Sequence, residues 1–75
     1  MTPNVYKDMI VTTARDVKEA CLLPDKNADK LHTLFMTRLN TILDLAVLDP
    51  DFACEEYNDI CKVYRKAREE VLLLL

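Results

Sequence analysis

The sequence predicts an all-α domain of three helices in an up-down-up arrangement, and three observations predict it. The 75 residues contain no glycine. Tight hairpin turns, phosphate-cradling loops and dinucleotide-binding turns need glycine for positive φ or close backbone approach, so the chain is poorly equipped to build them. Two of the three prolines, Pro24 and Pro50, stand in Pro-Asp pairs that cut the chain into roughly equal thirds. Each third carries apolar residues at three- and four-residue spacing, the period of an amphipathic helix. The expected helices cover about 3–22, 26–48 and 50–74, joined by two short Pro-Asp turns within a single domain, 1–75.

The first helix is half apolar. Thr2 is suited to cap it, and Pro3 to its first position, where a missing N–H has no partner to lose. Tyr6, Met9, Ile10, Thr13, Val17, Ala20 and Cys21 share one face, and charged residues fill the remainder. Pro24 ends the helix by disfavouring helical geometry at Leu23.

The second helix, capped by Asp25 or Asn27, is apolar most of the way round. At 100° per residue its polar side chains form one narrow stripe, and the others cover an arc of roughly 220°, against the roughly 100° a surface helix needs. Leu31, Leu34, Phe35, Leu39, Ile42, Leu45 and Ala46 occupy the middle of that arc, and Met36, Leu43 and Val47 extend one flank. Such a helix must be covered on more than one side.

The third helix starts at Pro50. Ala53, Tyr57, Ile60, Tyr64, Ala67, Val71 and Leu74 alternate at four and three residues, with Cys54, Cys61 and Val63 widening the seam. Acidic residues lie early and basic ones late, which complements the helix dipole. Arg65–Glu69 and Lys66–Glu70 have the spacing of i,i+4 ion pairs. On this pattern Leu31, Phe35, Ile42, Ile60 and Tyr64 are expected among the most buried residues.

Composition narrows the function. A net charge of −3, from 13 acidic and 10 basic residues, has the wrong sign for a nonspecific nucleic-acid binder. No run of residues approaches the roughly 18 apolar positions of a membrane span. Residues 1–11 carry no apolar core of a signal peptide, so a cytoplasmic, reducing location is expected. Cys54 and Cys61 would stand about 10 Å apart along one helix, and bridging needs Cα atoms within roughly 7 Å. The cysteines, Cys21 included, therefore read as free, apolar-face residues.

No catalytic or metal constellation is visible. His32 is the only histidine, without spaced Cys, His or carboxylate partners, and reads as structural or solvent-facing. No enzyme activity, metal or cofactor is expected. Arg38 interrupts the apolar arc. Either its stem packs while its head reaches water or an acid on a neighbouring helix, or it pairs across an interface. Leu72 and Leu73 fall on outward positions of the third helix, where they form either a contact surface or a frayed end.

Together these features predict a small non-enzymatic protein-interaction module that binds or blocks a partner surface, as an accessory protein, regulator or inhibitor. Viral and mobile-element proteins often have this size and lack of motifs. Met36, Arg38, Leu43, Val47, Leu72 and Leu73 are its candidate surface, and self-association as a homodimer or larger is expected from the excess apolar area. A second reading has Lys62, Arg65, Lys66 and Arg68 of adjacent subunits holding a nucleotide or other anion, and a third makes the chain a structural subunit. With no disulfide or ligand set in this reading, helicity measured by circular dichroism should be unchanged by EDTA or dithiothreitol.

Overall fold

The computed structural model describes residues 3–50 and 54–75. Three helices are present: α1 (Pro3–Cys21), α2 (Ala28–Leu48) and α3 (Cys54–Leu72). No strand occurs among the described residues. The assembly is an elongated rod with Cα extents of 42 × 17 × 14 Å. Its radius of gyration is 12.9 Å, above the ~11 Å of a round domain of this length.

The helices pack unequally. α1 lies along both α2 and α3, while α2 and α3 meet each other far less. The residues of α1 explain this. Tyr6, Ile10, Ala14, Val17 and Cys21 form one buried stripe at four- and three-residue spacing. Within it, Ala14 and its buried α3 neighbour Ala67 line one shared groove, and two side chains this small let the helices approach closely. The core is completed by Phe35, Leu39, Ile42 and Ala46 of α2 and by Ile60 and Val71 of α3.

The helix boundaries have local causes. Leu22 and Leu23 donate their N–H groups to Glu19 and Ala20 carbonyls at 3.1 and 3.2 Å, a tight i→i−3 ending that closes α1 before Pro24. Asn27 caps α2, its side chain accepting the Lys30 N–H at 3.0 Å. Asp49 closes α2 with its own N–H on the Ala46 carbonyl. Pro50, expected at the first position of the third helix, stands in a turn outside α3, and the cap expected at Thr2 and the seam position expected at Ala53 lie outside the described residues.

α3 ends at Leu72, two residues earlier than expected. Leu74 donates to the Val71 carbonyl at 3.0 Å, so the last turn tightens and the heptad no longer sets the direction of the side chains. Leu74, expected on the seam, is exposed, and Leu75 packs against the core instead. Two further expectations fail on the same ground of position. Leu31, in the first turn of α2, is only half-buried because the bundle ends there. Tyr64 is half-buried on a seam that α2 covers thinly, with the Arg68 guanidinium 6.0 Å from its ring centre.

Side-chain contacts among the described residues tie the helices near their ends. Tyr6 donates its hydroxyl proton to Asp49 Oδ2 at 2.5 Å, joining the start of α1 to the end of α2. Lys18 Nζ meets Glu70 Oε2 at 2.6 Å, joining α1 to α3. That contact replaces the expected Lys66–Glu70 pair. The hydrogen-bonded Lys18 ammonium holds the Glu70 carboxyl below its usual range, with Lys66 adding a smaller push in the same direction. Arg65 Nε donates to the Cys61 carbonyl, and no Arg65–Glu69 pair forms among the described residues. Lys26 Nζ donates to the Leu74 carbonyl at 3.0 Å, fastening the α1–α2 connection to the C-terminal turn.

Phe35 has no exposed surface. Phe35→Ala should cost about 3–5 kcal/mol, a large part of the stability of so small a domain. Urea unfolding measures it, and a midpoint close to wild type would mean that Phe35 is not central to the core. Tyr6 supplies a pH test. Its hydrogen bond to Asp49, then burial, then the Asp49 charge push the hydroxyl up to about 12, above the ~10 of an unfolded tyrosine. The folded state therefore holds this proton more tightly. Its stabilising effect is complete below about pH 10 and is lost as pH rises toward about 12. Wild type should lose stability across that window more steeply than Tyr6→Phe; parallel pH profiles would count against the contact.

Candidate interaction surfaces

The buried stripe of α2 is narrow. Phe35, Leu39, Ile42 and Ala46, at spacings of four, three and four, are the α2 residues with little or no exposure. The apolar arc on either side of them divides into two shoulders with different fates. Met36 and Leu43 pack against the core and are half-buried, so this flank spends much of its surface within the monomer. On the opposite shoulder Leu34 and Leu45 remain 40% and 44% exposed. Val47 and Leu48, at the end of the helix, are exposed as well.

The open shoulder borders a groove of about 570 Å³ between α1 and α2. Its walls carry Val5 and Met9 from α1 and Ile42 and Leu45 from α2, with four threonines, Thr12, Thr13, Thr37 and Thr41, among them. Thr13 donates its hydroxyl proton to the Met9 carbonyl and Thr41 to the Thr37 carbonyl. Those two donors are satisfied inside their own helices, so the groove asks little of a polar ligand. Its two charges are opposite in sign: Asp8 on α1 and Arg38 on α2. Arg38 is exposed, and no ion pair to it forms among the described residues. Its head reaches water rather than an acid of this bundle.

A second apolar surface lies at one end of the rod. Leu22 and Leu23 precede Pro24 in the first connection, and Leu72, Leu73 and Leu74 close the chain. The Lys26–Leu74 hydrogen bond places the two groups at the same end. All five are exposed, Leu22 at 79% and Leu73 at 86%. This end is held rather than loose, because Leu75 beyond it packs on the core. Sequence reasoning singled out Leu72 and Leu73 and missed Leu22 and Leu23. An apolar pair against a turn proline, at the end of a helix whose partner ends in leucines, was the available signal.

The basic residues of α3 do not converge. Lys62, Arg65, Lys66 and Arg68 fan over the exposed arc of one helix. Arg65 is engaged with the Cys61 carbonyl and Arg68 with the Tyr64 ring. Of the four, Lys66 alone lines the groove between α1 and α3, beside Arg15, Lys18 and Glu70. His32 is exposed. Cys21 and Cys61 are free thiols, Cys21 buried and Cys61 half-buried. A hydrogen bond with Cys61 is the main cause that raises the Tyr57 hydroxyl above its ordinary range. The side chain of Cys54 lies outside the described residues. Among the described residues no cluster of three metal-ligating side chains occurs, and no helix is long and apolar enough to cross a membrane. No protein-family model, curated protein or solved structure matches the chain.

Proposed function

We propose that this chain is a small non-enzymatic protein-interaction module that works by covering the surface of another protein, as an accessory protein, regulator or inhibitor. The observation that carries this reading is the leucine end: five exposed leucines from two separate segments stand at one end of the rod, where Lys26 and Leu75 anchor the chain. Isolated exposed leucines are ordinary, whereas several exposed at one end of so small a domain favour binding another apolar surface. The module also pairs with itself, through apolar area that the monomer leaves open. Its free thiols suit a reducing, cytoplasmic setting, and its size suits a viral or mobile-element origin. The anion-holding alternative has less support, because two of its four bases already hold other contacts.

Leu22 and Leu73 are the most exposed of the five, so changing them leaves the core intact. Immobilised wild-type chain should retain a partner protein from extracts of its source organism. Leu22→Ser with Leu73→Ser should retain it at least about tenfold less, with an unchanged circular dichroism spectrum. Equal retention by the variant would remove the leucine end as the contact surface.

A further inference from the structure

We propose that the α1–α2 groove is the seat of a second copy of this chain, in a two-fold pairing that lays α2 antiparallel to α2 of the other copy and directs Arg38 of each toward Asp8 of the other. The inference rests on the reading of the chain as an interaction module and assigns its self-pairing a place and a register.

The pattern of α2 carries the pairing. Leu34, Arg38, Thr41 and Leu45 form one stripe at spacings of four, three and four, immediately beside the buried stripe. The stripe reads the same way from both ends: leucine outside, polar residue inside. A two-fold axis between Arg38 and Thr41 sets each Leu34 against Leu45 of the other copy. An isologous interface requires this property, since the same patch must complement itself. A leucine pair then closes each end of the seam. Thr37 and Thr41 in its middle are small enough to let the two helices approach, and the Thr41 hydroxyl is already satisfied within its own helix.

The charges obey the same symmetry. The Tyr6–Asp49 hydrogen bond fixes α1 against α2 so that Asp8 lies toward the Leu45 end of the groove and Arg38 toward the Leu34 end. The two-fold carries Arg38 of the second copy to the level of Thr41, nearer to Asp8 than the arginine of the same chain. Two opposite-sign pairs form per dimer from groups that make no such pair in the monomer. A heterologous helix in this groove would have no reason to match a self-complementary stripe. Each α2 would then lie in the groove of the other copy, giving a four-helix seam of α1, α2 and their two-fold mates.

Charge reversal tests the pairing in solution. Both residues are exposed, so Asp8→Arg and Arg38→Glu should leave the fold intact, checked by circular dichroism. Sedimentation equilibrium of the wild-type chain should show a monomer–dimer equilibrium, and either variant alone should raise the dissociation constant by about tenfold or more. Mixing the two variants in equal amounts should restore dimer. In the mixed pair the two reversed side chains meet each other on one side of the two-fold axis, and the unchanged Asp8 and Arg38 meet on the other. A wild-type monomer at several hundred micromolar would overturn the proposal. So would a dimer indifferent to both reversals, or a mixture that stays monomeric. In each of those cases a leucine end that still retains a partner protein leaves the interaction-module reading standing. Loss of retention with the groove dimer intact has the opposite meaning.

Discussion

The structure depends on α1 being packed on both sides. A 75-residue chain can bury only about 60% of the surface it exposes when unfolded, and half of its composition is apolar. Three helices could share that burial equally, each touching two others. Here α1 stands between the other two, because one stripe with alanine at its centre packs against α2 and α3 together. The cost falls on α2. Its apolar arc is wide enough for two neighbours, but α3 approaches it only thinly, so one shoulder is left facing a groove. The open shoulder is thus a consequence of how the core is built.

The end contacts then decide shape more than stability. Lys18–Glu70 joins side chains that are 37% and 44% exposed, and an exposed pair of this kind contributes about 0–1 kcal/mol. Its effect is on register, since it holds the C-terminal halves of α1 and α3 level. Tyr6–Asp49 differs because the tyrosine ring is fully covered, so its hydroxyl must find a partner or lie unsatisfied. That requirement fixes α1 against α2 and therefore sets the depth and charge order of the groove. Lys26, by holding the Leu74 carbonyl, keeps the first connection and the chain end, each with exposed leucines, at the same end of the rod.

Legibility in the sequence followed the reach of each signal. Helix number, order and approximate limits were readable from the missing glycine, the Pro-Asp pairs and the apolar period, because these act over a few residues. Phe35, Ile42 and Ile60 were identified as core for the same reason. Which shoulder of α2 would be covered was not readable, since Met36–Leu43 and Leu34–Leu45 look alike on a wheel and only the position of the other helices separates them. The heptad correctly placed Ala67 and Val71 and failed at Leu74, where the helix had already stopped. Ala14 drew no notice as a small apolar residue outside the marked face, yet it sits where two helices come together. Leu22 and Leu23 gained meaning only once the far end of the chain was placed beside them.

The two surfaces can operate together. The groove runs along the side of the rod and the leucine end caps its tip, so an occupant of one does not cover the other. In the proposed pairing the two-fold axis crosses α2 near its middle, and each copy carries its leucine end beside the start of α2. The first residues of the two α2 helices then stand about 35 Å apart, with the leucine ends facing opposite ways. Such a dimer is a bivalent binder. Two contacts on one target, or on two neighbouring copies of a target, would strengthen retention well beyond a single leucine end if their spacing allowed both to engage. Weak self-pairing and a modest apolar contact would then be enough for a protein this small to block a larger one.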